Sequence, residues 1–505
     1  MTNDSDRLDD DACASSKPNI LQHKPRIQDA PGETPLAVRA TEELLAATGE
    51  FYGSGDALVR VKDRDGQGVS IEQVHEQTLK LELARRAIWE VKGRDGIPIR
   101  INPPHGVVQA LLHGQDRSLP ILNGLARQPF FGAEGKLVST PGYDAASGIF
   151  AAFDAADYPM AEPTRELAER SLEYLESLIA EFEFETEADR SAALAAILTA
   201  AVRPCLPTAP AINITGTGPG SGKSYLAEVI TPFAGPEDPH RVSFPERHDE
   251  AGKLVLTVLR EKPTAVLFDD MQGNWKSLGP LNRALSSSTT TERMLGKNTS
   301  ATVSTRVLFL GTGNQVEAER DMRRRLITIS LAPRSENPAL RSFKSNPVDD
   351  LRQHRSFAVS CALNIIRAFQ AAGEPMADVR AVNNYDAWSR MCRHPLVWLG
   401  LSDPAQSLID QVSKDPEKDL LAEFLAVWFR IFGSRPITVR RLLAKANQHD
   451  DLMEILEELP VMDGRHVSPG KLGWYISKRK GRWAGGLKFE RGDSSERNSW
   501  MVVTD

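Results

Sequence analysis

The chain has little cysteine: Cys13, Cys205, Cys361 and Cys392 are the only four in 505 residues. They lie far apart, with no paired spacing, which argues against a disulfide framework or a zinc site and for a reducing cytoplasm. Long apolar runs are also missing. None approaches the ~20 residues that span a bilayer, so no membrane partner is expected. The N-terminus reads MTNDSDRLDDDAC, acidic and without an apolar stretch, and is expected to be neither a secretory nor a mitochondrial targeting segment. Net basic charge is absent too. Lys and Arg number 61 against 68 Asp and Glu, a net charge of −7. Any nucleic-acid contact must therefore come from local basic patches or from a ring channel. What remains is ordinary for a globular protein, with 41% hydrophobic and 26% charged residues. The length suggests about three domains.

The most informative stretch is Ala211 to Leu226, AINITGTGPGSGKSYL. A short apolar run enters a glycine-rich loop, which closes on Gly222-Lys223-Ser224 before a helical pattern begins. This arrangement cradles a nucleoside triphosphate, where a chance Gly-Lys-Ser after a glycine turn would lack the flanking strand and helix. Gly218, Gly220 and Gly222 let backbone N–H groups point inward at phosphates, and Pro219, Ser221 and Tyr225 complete the expected binding stretch. Lys223 would reach the β- and γ-phosphates of ATP, and the Ser224 hydroxyl would sit on Mg²⁺. One departure stands out: the strict pattern puts its first glycine where this chain has Thr217.

Further along, Ala265 to Phe268 reads as a buried strand ending in Asp269-Asp270. Asp269 would hold Mg²⁺, directly or through water, and Asp270 would orient or deprotonate the attacking water. A third strand, Arg306 to Leu310, runs into Gly-Thr-Gly-Asn314, whose amide would sense the γ-phosphate. Between these strands, Arg293 to Leu295 and Ala301 to Val303 are expected to pair as a hairpin over Gly296-Lys297-Asn298. In a ring ATPase, Lys297 at its tip would grip a DNA backbone phosphate in the channel; the alternative is a surface hairpin with a solvated lysine. The cluster Arg320-Asp-Met-Arg-Arg-Arg-Leu326 would offer an arginine finger to a neighbouring subunit. Arg324 is the first choice, with Arg323 and Arg325 as near competitors.

These elements sit in a longer plan. Residues 1–35 are polar and acidic and are expected to be disordered. Residues 36–158 read as a mixed α/β domain: a strand at Ala57 to Val61, helical spacing from Ile71 to Trp89, a half-buried strand at Ile97 to Ile101, and turns from Leu119 to Tyr143. His75, His105 and His113 there are not at metal-ligand spacing. Residues 159–209 carry two helical patterns, from Thr164 and from about Glu187 to Val202, expected as a collar or lid. The nucleotide core covers 210–335. Residues 336–432 are mostly helical, with Trp388 and Trp398 taken as packing residues. Residues 433–505 read as three short helices and a β-hairpin, a winged helix whose third helix, Gly470 to Arg479, would enter a major groove. Lys471, Lys478, Arg479, Lys480, Arg482, Lys488 and Arg491 face only Glu490 in that stretch. The same module could instead serve protein contact.

Taken together, TGPGSGKS, AVLFDD, RMLGKNTSATV and VLFLGTGN resemble the AAA+ class, and within it the superfamily 3 helicases. The stretch from Phe184 to Leu331, ending RDMRRRLITISL, and the upstream LPILNGLARQPFFGAEGKLVSTPGYDAASGIF are similar to primase–helicase-type ATPases of phages, plasmids and integrative elements. The resemblance covers roughly residues 50 to 505, apart from Thr217 and the lack of any primase signature. It implies an α/β fold: an AAA+ P-loop core with a central parallel sheet, preceded by the mixed α/β domain and followed by a helical lid and the winged helix. It also implies an ATP-dependent DNA helicase working as a homo-oligomer of six subunits on single-stranded and forked DNA, with any priming supplied by a separate primase. The alternative is a non-helicase regulatory, loader or defence ATPase whose winged helix binds a protein or an operator.

Overall fold

The computed structural model describes residues 24–505 except 31, 56, 65–67, 115–117, 133–134, 294–299, 335–343, 383, 414–415, 465 and 493–498. The chain divides into two compact units, residues 1–405 and 406–505. Among the described residues no helix is long and apolar enough to cross a membrane.

The centre of the first unit is a five-stranded parallel sheet. Its strands are β1 (Ala211–Gly216), β2 (His240–Val242), β3 (Ala265–Met271), β4 (Leu308–Asn314) and β5 (Leu326–Leu331), in the order 2-3-4-1-5. The inner strands read as near-continuous apolar runs because both faces are covered, the usual state of a parallel sheet. Val266, Phe268 and Phe309 pack with the helix His248–Arg260 in one cluster that also holds Trp275. Against the sheet also lies the helix Glu187–Val202, which packs on β5, and Asp189 accepts the Ser330 backbone N–H at 2.7 Å.

That helix corrects the expected collar. Every residue from Ser191 to Val202 is buried. From Ser191 on, its sequence, SAALAAILTAAV, carries no charge on any side, and such a helix belongs inside a core. Thr186 and Asp189 start it with a reciprocal capping box. The following helical segment joins the same layer. Trp388 is fully buried and donates to Thr199 Oγ1 at 2.8 Å, while the helix Pro347–Ala371 packs along Arg165–Leu178. The Tyr174 hydroxyl donates to Asp350 at 2.9 Å in that pairing. Trp398 also packs, edge-on to Phe369.

Upstream, the described residues of 24–158 form small sheets and three α-helices around Leu45, Leu79, Leu83, Val107 and Leu111. Three expectations change here. Residues 1–23 lie outside the described residues, but Arg26–Gln28 is a strand paired parallel to Ile88–Lys92, because Ile27 inserts into that core. The helical stretch expected from Ile71 to Trp89 is only Glu76–Arg86, with strands on both sides. Pro98–Ile101 is an edge strand among the described residues, and Ile97 and Ile99 are exposed because no layer covers that side of it.

The second unit holds the helix Pro416–Phe432, then Val439–Ala446, Asp450–Glu458 and Pro469–Lys478, and an antiparallel sheet of Ile437–Thr438, Ser499–Thr504 and Leu487–Arg491. The sequence pattern groups Pro416–Phe432 with the preceding helical segment. Its Leu421, Phe424, Leu425 and Trp428 instead share one core with Leu472, Ile476 and Phe489, because the three short helices alone leave that apolar face uncovered.

Candidate nucleotide site

The carboxyl ends of β1, β3 and β4 meet at one place. β1 passes through Gly216 into the glycine loop, and Gly222 caps the helix Lys223–Ile230 in a left-handed conformation (φ +89°) that favours glycine. The structure accounts for Thr217. A Cβ at Gly216 would come within 2.7 Å of Ser221 Oγ and 3.1 Å of the Leu331 carbonyl oxygen, so the tight approach that favours glycine falls one residue earlier than in the strict pattern. Gly218, by contrast, has open space around it.

Lys223 Nζ lies among three acceptors: Asn314 Oδ1 at 2.7 Å, Ser221 Oγ at 2.8 Å and the Gly218 carbonyl at 2.9 Å. Burial lowers the ammonium from its ordinary range, and the Asp270 charge opposes that shift. Asn314 reaches the lysine because it pairs in register with Gly216 across the β1–β4 ladder. Ahead of β4, Arg203 is wholly buried and donates to the carbonyls of Thr305, Val307 and Leu206, which ties down the strand's start. Burial pushes that guanidinium down to about 9.

Asp269 accepts from Thr312 Oγ1 at 2.7 Å and from Ser224 Oγ at 2.8 Å. Its other oxygen meets Arg241 Nη1 at 2.5 Å, and Arg241 also pairs with Glu228 at 2.9 Å. Burial would raise this carboxyl, but the hydroxyl donors and the arginine outweigh burial and hold it low. Asp270 follows with φ +51°, at a break in the β3–β4 register between Phe268 and Met271. Its backbone N–H donates to Thr312 Oγ1 at 3.0 Å. One threonine hydroxyl thus fixes both acidic residues, and Asp270 keeps an uncommon backbone conformation of the kind held at functional sites.

Tyr225, expected at the ligand, donates to Asn346 Oδ1 at 2.5 Å and stacks on Phe182, with ring centroids 6.0 Å apart. Phe182 also sits beside Gly222, 3.4 Å from where its Cβ would be. Sequence reasoning passes over Phe182, Arg241, Glu228 and Thr312. Only the threonine carries a signal, as a polar residue inside an apolar strand tip. Ser224 and Asp269 are two hard oxygen donors, the set Mg²⁺ takes from protein when phosphates supply the rest. The three acceptors around Lys223 hold a cation where a phosphate would otherwise do so. The residues therefore fit the phosphates of a nucleoside triphosphate with Mg²⁺.

The other expected residues are placed as follows. Thr289–Arg293 and Ser300–Ser304 form an antiparallel hairpin, with Arg293 opposite Ser300 rather than beginning the pair. Lys297 lies outside the described residues. Arg324 is exposed and pairs with Asp321 at 2.6 Å. Arg325 is buried, donating to Ser286 Oγ at 2.8 Å and pairing with Asp321, so it is unsuited to reach another subunit. In the second unit, Lys471 is exposed and donates to the Met462 carbonyl at 2.8 Å, and Lys478, Lys480 and Arg482 are exposed. Arg479 departs from the expected DNA-facing set: its guanidinium lies 3.6 Å from the Tyr475 ring centroid and pairs with Glu417, which packs it into the unit.

No protein-family model and no curated protein matches the chain. Solved structures give distant likenesses. The apo C-terminal region of NrS-1 aligns at 11% identity over 83% of this chain and 86% of that one, with a TM-score of 0.37. The active helicase Cch of SCCmec type IV aligns at 12% over 82% and 90%, with a TM-score of 0.32. JCV helicase aligns at 13% over 46% and 66%, with a TM-score of 0.20. Likeness at this level assigns neither role nor substrate.

Proposed function

We propose that the chain is an ATP-dependent DNA helicase that works as a ring of like subunits, replicating a mobile genetic element. The observation that carries the ATPase part is the meeting of Lys223, Ser224, Asp269, Thr312 and Asn314 at the ends of three parallel strands. Helicase action rests on the motif resemblance.

In this reading Lys223 binds the β- and γ-phosphates, and the loop N–H groups hold the rest of the chain of phosphates. Mg²⁺, held by Ser224 and Asp269, would supply charge neutralisation at the phosphates. Thr312 keeps Asp269 aimed, and Arg241 pairs with both Asp269 and Glu228 beside it. Asp270 accepts a proton from the attacking water, which Asn314 orients. The stacked Phe182 and Tyr225 rings offer an aromatic surface beside the glycine loop for the base. Arg324 completes the site of a neighbouring subunit, with Arg323 as its competitor, and the burial of Arg325 supports that narrowing. Lys297 grips single-stranded DNA, and the C-terminal unit acts as a winged helix on DNA near the fork.

The test measures ATP turnover and displacement of a labelled strand from forked DNA. Lys223→Ala should lower turnover at least 100-fold and abolish displacement. Wild-type turnover without any displacement would leave a regulatory or loader ATPase as the better reading, and no turnover in the wild type would overturn both.

A further inference from the structure

The helix Pro469–Lys478 buries Leu472, Tyr475 and Ile476 and turns its other side outward. On that side Lys471, Trp474 and Lys478 stand at positions i, i+3 and i+7, a single face of the helix. Trp474 is 63% exposed, and Lys478 Nζ lies 4.7 Å from its ring centroid. A second tryptophan, Trp483, is 40% exposed in the turn that follows, with Lys488 Nζ 4.5 Å from its ring. Each indole therefore has an ammonium near it and much of its surface in water, although tryptophan is ordinarily among the well-buried side chains.

The chemistry of this face is selective. PGKLGWYISK contains no Arg, Asn, Gln, Asp or Glu, the planar side chains that make bidentate base-edge contacts in a major groove, and offers only Lys471, Ser477 and Lys478 as polar readers. Its lysines suit phosphates, which carry no sequence information. Large exposed rings beside positive charge are instead the means by which unpaired bases are held, since every base has a face to stack. Lys480 and Arg482, both exposed, extend the positive charge between the two rings in sequence.

We infer that this face binds single-stranded DNA by stacking bases on Trp474 and Trp483, without sequence preference, rather than reading a duplex through its major groove. The inference rests on the nucleic-acid reading of the C-terminal unit. It changes that module's task from recognising a duplex site to holding a displaced strand.

The test uses the full chain without nucleotide, a labelled oligo-dT and a blunt duplex of equal length. Trp474→Ala and Trp483→Ala should each weaken oligo-dT binding about tenfold while duplex binding changes little, and Trp474→Phe should stay close to wild type. Oligo-dT should quench tryptophan emission in the wild type, and less so in the Trp474→Phe Trp483→Phe variant. Unchanged melting temperatures would show that the variants fold. Wild-type affinity for oligo-dT in the double alanine variant would overturn the stacking inference alone, as would an equal loss on duplex. If the wild type bound neither DNA, the nucleic-acid reading of the unit would fall with it.

Discussion

The glycine loop and the outer face of the C-terminal unit both present cations, yet they hold them in opposite ways. At the loop, Lys223 lies among three oxygen acceptors at fixed distances, and the Thr312 hydroxyl holds both the Asp269 carboxylate and the Asp270 backbone N–H. In the C-terminal unit Lys478 and Lys488 lie over indole rings at the surface. The first arrangement suits a ligand whose atoms must occupy set positions, because enclosed donors cost little reorganisation when the reaction occurs. The second suits a flexible polymer, for which charge and stacking matter more than angle.

The contrast can be broken at three places. The largest effect is expected at Thr312. Thr312→Val keeps the shape and removes the hydroxyl shared by Asp269 and the Asp270 N–H, so turnover should fall about 10- to 100-fold, as when a metal ligand loses its supporting hydrogen bond. A raised Mg²⁺ requirement should accompany the loss, which a purely structural threonine would not produce. Normal turnover and normal Mg²⁺ dependence would mean the acidic pair is aimed by something else.

A smaller effect is expected where the two modes meet in one basic run. Arg479→Ala should destabilise the C-terminal unit by about 1–2 kcal/mol, through loss of the Tyr475 contact and the Glu417 pair. Lys480→Gln should leave the melting temperature alone, weaken DNA binding on any sequence, and lower the salt slope by about 1. A reversed pattern, with Arg479 mattering to DNA and not to melting, would show that the packed arginine belongs to the binding face after all.

The smallest effect concerns Lys262, a cation with neither kind of support beyond its 2.8 Å contact to Ser54 Oγ. Burial pushes its ammonium down to about 8 from a usual value near 10.5. Between those values the unfolded chain binds more protons than the folded one, so this residue's contribution to stability rises with pH from about 8 towards 10.5 and is lost as pH falls through 8. Lys262→Met should flatten the melting-temperature profile over that window. An unchanged profile would place the ammonium in water.

Much of the candidate nucleotide site is legible in the sequence. Lys223, Ser224, Asp269 and Asn314 stand in runs whose order along the chain already names them, and these four do converge. Thr312 is not legible as a partner of Asp269, because the two meet only through the β3–β4 register, 43 residues apart. Arg241 sits on an edge strand of three residues, too short to announce itself by pattern. The helix Glu187–Val202 forms where its pattern places it, yet it lies in the core and not in a collar, since a helical pattern records that a helix forms and not what will cover it. Arg479 is indistinguishable from its basic neighbours until Tyr475 and Glu417 are placed beside it.

By itself, the sequence determined the local pieces: a glycine loop between a strand and a helix, acidic and amide-tipped strands, and three helices with a hairpin at the end. These follow from short-range rules of spacing, capping and turn chemistry that need no distant partner. Only the tertiary structure decided which polar groups meet across strands, that the smallest approach in the loop falls at Gly216, and which cations are packed and which face water. Those outcomes depend on strand register and on the competition among apolar faces for one core, and both are set by residues far apart in the chain.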